Sequence, residues 1–280
     1  PPADVSAMDG YAVRAADVAE VPATLTQIGE SAAGNAFEGT VGPGQTARIF
    51  TGAPVPKGAD AIVMQEDTEV SGGQITMTVA PWPGKFVRPA GLDFQHGDVG
   101  ITANRVLSSR DVGLAAAMNV PWLTVARRPR IALLATGDEL VRPGEPVGPN
   151  QIVSSNTIAL MGLIKASGGE AIDLGIASDD EDSLRALASG ARGADMLVTL
   201  GGASVGDHDL VRKVLGQDGL ELDFWRIAMR PGKPLIFGSF GETSMMGMPG
   251  NPVSSLVCGI VYLRPAIRAM LGLDPHAASQ

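Results

Sequence analysis

The sequence predicts an α/β fold: a parallel-sheet domain preceded by a β-rich lobe. Two patterns and a length predict it. From residue 128 onward, apolar strand-like runs alternate with helical stretches, as in parallel α/β domains. Before that point the chain is made of short β-like pieces punctuated by glycine and proline. A chain of 280 residues also has room for two domains at roughly 150 residues each.

In the first region, residues 1–127, Ser6-Ala7-Met8-Asp9-Gly10-Tyr11-Ala12-Val13 opens on a turn and a short strand. Strands are expected at 24–28, 46–49, 61–64 and 74–79, with Ser71-Gly72-Gly73 as a hairpin turn. These form a small β lobe over about residues 1–95, with two exposed loops, Thr51-Gly52-Ala53-Pro54 and Arg88-Pro89-Ala90-Gly91-Leu92-Asp93. A mixed helical segment, 96–127, follows. In it 109–118 reads as a capped helix, 120–125 as a strand, and Arg127-Arg128-Pro129-Arg130 as a solvated basic hinge.

The second region, 128–272, opens with an apolar strand at 131–135, followed by Thr136-Gly137-Asp138-Glu139-Leu140. A helix at 156–167 takes Asn156 as its N-cap, and a strand follows at 171–176. Ser178-Asp179-Asp180-Glu181 fits a capping box for a helix reaching 191, which gives that acidic run a structural role. The strand 196–198 leads into Thr199-Leu200-Gly201-Gly202-Ala203-Ser204-Val205-Gly206-Asp207-His208-Asp209, and a helical pattern runs on to 215. Strands at 221–228, 235–238 and 246–248 are separated by Met229-Arg230-Pro231-Gly232-Lys233-Pro234. The last of them ends at Pro249-Gly250-Asn251-Pro252-Val253-Ser254. There Asn251 and Pro252 are the N-cap and first residue of a helix to about 271.

Composition excludes several roles. A formal charge of −9 and an aromatic content of 4% argue against binding a phosphate backbone or stacking single-stranded bases. The single cysteine, Cys258, lies in an apolar helical pattern and reads as a small buried hydrophobe. No run reaches the roughly 18 apolar residues of a membrane span, because Arg264 and Arg268 interrupt the last helix. The chain reads as soluble and cytoplasmic.

Ligands of open parallel sheets bind beyond the carboxyl ends of the strands. Four loops follow strand ends here, beginning at Thr136, Gly201, Arg230 and Pro249. Gly201, Gly202 and Gly206 let the backbone approach an anion, and Ser204 adds a donor. Asp207 and Asp209 call for a cation between them and that anion. Arg230 and Lys233 flank a rigid Pro-Gly turn and suit a tetrahedral oxyanion.

Gly201-Gly202-Ala203-Ser204-Val205-Gly206-Asp207-His208-Asp209 resembles the Gly-Gly-Val-Ser-Val-Gly-x-x-Asp signature of the molybdopterin molybdenumtransferases, which include the gephyrin E domain. The Ser6, Thr51, Thr136, Arg230 and Pro249 motifs resemble others of that family, in the same order. The resemblance implies a three-layer molybdopterin-binding domain after a β-rich region. It implies Mg²⁺-dependent insertion of molybdate into adenylylated molybdopterin, with release of AMP. Gly201, Gly202, Ser204 and Gly206 would cradle the ligand, together with Thr136, Gly137, Pro249, Gly250, Asn251 and Ser254. Asp209 and Glu139 would hold Mg²⁺, and Arg230 and Lys233 the oxyanion. Asp9, Thr51 and Asp93 would complete the cleft of the other protomer in a homodimer. A molybdopterin adenylyltransferase is an implied partner. The family has Lys at many positions equivalent to Arg230 and Val at that of Ala203. It also has a helical segment before the Ser6 motif and a β barrel after the α/β domain, so 273–280 reads as the start of a further domain.

Two other readings share these residues. A molybdopterin adenylyltransferase would have the α/β domain but not the lobe carrying Asp9, Thr51 and Asp93. A non-catalytic scaffold of the gephyrin E type would have no need of Asp209, Lys233 and Asn251 together. The intact set favours the transferase.

Overall fold

A computed structural model describes residues 1–201, 210–217, 219–240 and 242–276. The chain forms two compact units. Unit one comprises Pro1–Thr102 with Ser109–Val120, and unit two Ala103–Ser108 with Pro121–Gln280. The chain therefore crosses from one to the other and back before settling in unit two.

Unit one contains β1 (Val5–Ser6), β2 (Gly10–Val13), β3 (Ala23–Ser31), β4 (Gln45–Ile49), β5 (Ala61–Met64), β6 (Thr68–Ser71), β7 (Gln74–Met77), β8 (Val87–Arg88) and α1 (Ser109–Ala117). Six of these strands make one sheet in the order β5-β2-β4-β3-β7-β6, and β1 pairs with β8. Strand alternation places Tyr11 and Val13 in one core with Leu25, Val63, Ile75 and Met77, and Ala12 in another with Ile49 and Ile62. The β6–β7 hairpin turns on Gly72 and Gly73, both at positive φ, as the Ser-Gly-Gly reading required. No strand forms at 120–125, and every residue there is exposed.

Unit two contains β9 (Arg130–Thr136), β10 (Leu140–Val141), β11 (Ile152–Val153), α2 (Ser155–Ala166), β12 (Glu170–Ala177), α3 (Glu181–Ala188), β13 (Met196–Leu200), α4 (Leu210–Gln217), β14 (Leu220–Phe224), β15 (Ile236–Phe240), β16 (Thr243–Met248), α5 (Pro252–Cys258) and α6 (Arg264–Met270). Its main sheet runs β12-β9-β13-β16-β15-β14. The first four strands are parallel, and β15 is antiparallel to both its neighbours. On one face Ile131, Leu133, Met196, Val198, Met246 and Met248 pack against α2, α5 and α6. On the other, Ala132, Leu134, Leu197 and Met245 meet α3 and α4. Helix, sheet and helix are three layers. A strand covered on both faces is apolar throughout, which explains the unbroken run of β9.

Other local readings change, and the strand expected at 221–228 ends at Phe224. The N-cap of α2 is Ser154, and Asn156 lies inside the helix with its side chain turned to another loop. Asp180 alone caps α3, accepting from Ser183 N at 2.7 Å. The Arg127 run is no solvated hinge. Arg127 grips Asp195 with both guanidinium nitrogens, at 2.7 and 2.5 Å, and the Arg130 backbone N–H donates to the same carboxylate at 2.8 Å. Finally, a π-helical turn over Gly259–Leu263 joins α5 to α6. The resulting helix, Pro252–Met270, is long and apolar enough by length and composition to cross a membrane. In unit two it buries Ser255, Cys258, Leu263 and Ile267, with Cys258, Leu263 and Ile267 packed in the core beside the sheet.

Candidate functional site

The site of unit two starts from strand direction. Because β15 reverses, β14 points the same way as β16 and β13. The loops leaving β9, β13, β14 and β16 therefore emerge at one edge of the sheet, its carboxyl edge. Antiparallel pairing at the end of the sheet is what brings Arg230 and Lys233 to the edge that carries Thr136, Gly201 and Pro249.

Three strand ends are tied directly. The Gly201 N–H donates to Met248 O at 3.2 Å, joining β13 to β16. Thr136, 5% exposed, has its hydroxyl 3.5 Å from Leu200 O, joining β9 to β13. Gly201 takes φ 86°, and a Cβ there would lie 2.8 Å from Thr136 O, so only glycine fits this crossing. Glu139 folds its carboxylate over Gly137, and Asp138 accepts from Asp179 N at 3.1 Å, drawing the loop after β12 to the same edge.

The loop after β16 opens the last helix. Asn251 caps it, accepting from Val253 N at 3.1 Å and Ser254 N at 3.3 Å. Its carbonyl oxygen is thus committed, which leaves the amide NH₂ of Asn251 and the hydroxyl of Ser254 for other partners. Ser255 donates its hydroxyl to Pro249 O, and Asn156 donates to Gly250 O at 2.7 Å. Asn at a helix start reads as a cap, so the sequence alone does not reveal that Asn156 reaches the Gly250 loop.

The loop after β14 folds on itself. Ile227 N and Leu235 N both donate to Lys233 O at 3.1 Å. Gly232, at φ 110°, lies so close to Met229 and Cys258 that a Cβ there would sit 2.8 Å from the Cys258 sulfur. That packing buries the thiol, and burial pushes its pKa up, as suits an inert core residue. Arg230 and Lys233 project exposed, and Arg226 lies 3.8 Å from the centre of the Trp225 ring. Thr199, one residue before the end of β13, has a buried hydroxyl without a hydrogen-bond partner among the described residues.

Gly202, Ser204, Gly206 and Asp209 lie outside the described residues. Among the described residues no group of three His, Cys, Asp or Glu gathers in a way that could hold a metal. Glu139 and Asp138 are the exposed carboxylates at the carboxyl edge in the Thr136 motif.

Unit one brings Asp9 and Thr51 together. One Asp9 oxygen accepts from the Thr51 backbone N–H at 2.7 Å and from its hydroxyl at 2.8 Å. These bonds, the backbone one foremost, and the nearby Arg48 charge hold the Asp9 carboxyl below its ordinary pKa. Arg48 lies 5.0 Å from both the Tyr11 and Phe50 ring centres. It donates to Gly10 O at 3.3 Å and to Gln65 Oε1 at 2.5 Å, clamping the backbone beside Asp9. The strand expected at 46–49 carries no sign of this role for Arg48. Asp93 is 73% exposed, and its described charged neighbour is the Pro1 nitrogen at 3.9 Å. Among the described residues no hydrogen bond or ion pair joins it to Asp9 or Thr51.

Comparison with known proteins places both units. Residues 1–119 match the MoeA N-terminal region, domains I and II, and residues 132–269 match a probable molybdopterin binding domain. The chain is 41% identical to the molybdopterin molybdenumtransferase of Nostoc sp., over 96% of this chain and 64% of that protein. It is 37% identical to the Haemophilus influenzae protein of the same name, over 97% and 67%. A crystal structure of a molybdopterin biosynthesis MoeA protein from Pyrococcus horikoshii superposes with a TM-score of 0.86 at 35% identity, covering 98% of this chain and 70% of that one. The chain spans about two thirds of the length of the curated relatives it matches. Fold, motif order and identity agree, and the chain belongs to the molybdopterin molybdenumtransferase family.

Proposed function

We propose that this protein inserts molybdate into adenylylated molybdopterin, releasing AMP, at the carboxyl edge of the unit-two sheet. The observation that carries the reading is that loops from four strands leave that one edge, each with residues of a family motif. The pterin substrate lies along the strand ends, where the Gly201–Met248 and Thr136–Leu200 bonds set the floor. Asn251 and Ser254 offer it an amide and a hydroxyl. Gly202, Ser204 and Gly206 add backbone and hydroxyl donors for its phosphate-bearing arm. Arg230 and Lys233, both exposed at this edge, hold the tetrahedral molybdate substrate.

Mg²⁺ takes one or two carboxylates together with substrate phosphates, so a pair such as Glu139 and Asp209 fits its demands. When bound, it neutralises charge on the phosphate oxygens of the leaving AMP. Asp9, its charge secured by Thr51 and Arg48, stays ionised and serves with Thr51 and Asp93 in the cleft of a second protomer of a homodimer. The adenylylated substrate comes from a molybdopterin adenylyltransferase, and the protein works in the cytoplasm.

Calorimetry tests this reading with adenylylated molybdopterin, with and without Mg²⁺, on the protein and on Asp209→Ala. Mg²⁺-dependent binding that disappears in the folded variant is expected. Absence of binding to the folded, unaltered protein would sink the proposal.

A further inference from the structure

The loop that carries Arg230 and Lys233 is pinned by the last helix. Between β14 and β15 the chain turns every third residue inward. Met229 is half-buried and Gly232 and Leu235 are buried, whereas Arg230, Pro231 and Lys233 stay exposed. Backbone bonding closes only the ends of this loop, through Ile227 N and Leu235 N, which both donate to Lys233 O. Residues 228–232 make no backbone hydrogen bond among the described residues. Arg230 and Lys233, two like charges close in sequence, also repel each other across that span. Its own backbone does not hold it.

Two side chains of the last helix do. Tyr262 donates its hydroxyl to the Met229 sulfur at 3.7 Å, and Cys258, one turn earlier, meets Gly232. A Cβ on Gly232 would stand 2.5 Å from Met229 Cε and 2.8 Å from the Cys258 sulfur, so the loop backbone rests directly on both. Cys258 belongs to the core cluster, and Tyr262 and Met229 pack against it. Tyr262 lies in the π-helical turn Gly259–Leu263, where Gly259 lets the helix approach Leu160 and Leu163 of α2 closely. The support is thus itself anchored. Phenylalanine would fill the space of Tyr262 as well, and a thioether is a weak acceptor. The hydroxyl therefore adds direction to the contact more than strength.

We propose that Tyr262 is a positioning residue, which acts through Met229 to hold Arg230 and Lys233 in one arrangement toward a tetrahedral oxyanion. The inference rests on the reading of those two residues as the molybdate-binding pair. Tyr262 touches no substrate. It limits the conformations that the loop gives up when the anion binds, so part of the ordering cost is already met in the free protein. Its loss lowers affinity while leaving the charge of the loop and the packing of the core as they are.

The test is calorimetric titration of the whole chain with molybdate alone, with hydrogen exchange of the loop amides followed in parallel. Tyr262→Phe is expected to weaken molybdate binding about threefold. It should also speed exchange at the Ile227 and Leu235 amides, whose bonds to Lys233 O close the loop, with the urea midpoint unmoved. Met229→Leu keeps the volume and removes the acceptor. It should weaken binding to the same extent, and adding Tyr262→Phe to it should cost nothing more. Losses that add, or a lower urea midpoint with binding unchanged, would mark a merely structural tyrosine and overturn the role. Lys233→Gln keeps this claim apart from the one beneath it. If the unaltered chain takes up no molybdate, or Lys233→Gln takes it up equally, the oxyanion reading of the loop fails and this role with it. If uptake needs Lys233 but is indifferent to Tyr262→Phe, the positioning role alone fails.

Discussion

At the scale of single residues, the Asp9–Thr51 pair is the most sharply defined part of the candidate site. A carboxylate accepting a backbone N–H and a hydroxyl on the same oxygen is favoured in its charged form. Its folded pKa is therefore depressed below the ordinary 3.8. A depressed carboxylate contributes stability that is present above its unfolded pKa and is lost as pH falls through the folded value. For Asp9 that window lies below about pH 4. Carbon-detected NMR titration should place the Asp9 midpoint below 3.8 and move it partway back up in Thr51→Val. The substitution removes the hydroxyl and leaves the larger, backbone contribution in place. A midpoint unmoved by Thr51→Val would show that the hydroxyl bond has no weight. Arg48 stands behind this pair, and nothing in the strand pattern 46–49 distinguished it from any solvent-facing residue. Its meaning comes from Tyr11, Phe50 and Gln65, which reach it only once β2, β4 and the turn after β5 are assembled.

At the scale of elements, the best-read feature is the start of the last helix. Asn251 and Pro252 are a cap and a first helical residue by type alone, and the structure has Asn251 accepting from two backbone N–H groups. Asn251→Ala should cost about 1 kcal/mol in urea denaturation, and Asn251→Asp, which keeps the accepting oxygen, should cost much less. Equal losses in the two variants would mean that capping is not what Asn251 supplies. The strands of unit two were legible for the same kind of reason. Residues buried on both faces leave an apolar run that needs no partner to be recognised, as 131–135 and 196–198 do. What depends on a distant partner was not legible. The basic run at Arg127 looks like a hinge until Asp195 arrives from far along the chain. Residues 120–125 have strand-like composition, but no neighbouring strand pairs with them. The direction of β14, which decides that Arg230 and Lys233 share an edge with Gly201, follows from the β15–β16 hairpin. Spacing alone does not show that reversal.

At the scale of the whole molecule, the division into two units is partly hidden from a reading along the chain. The 103–108 segment belongs to unit two and 109–120 to unit one, so no single boundary residue separates them. Contacts, not sequence order, define the units. Each has its own buried apolar clusters, around Ile75 and Met77 in one and around Leu133 and Val198 in the other. Units with separate cores need not unfold in one step. Ile75 and Leu133 are both fully buried, and truncating either to Ala removes contacts worth roughly 2–5 kcal/mol. Hydrogen exchange followed by mass spectrometry across a urea series should then separate the two effects. Ile75→Ala should lower the urea midpoint of peptides from residues 10–77 and leave those from 130–136 and 196–200 near their original value. Leu133→Ala should do the reverse. If either substitution lowers every midpoint equally, the two cores act as one cooperative unit.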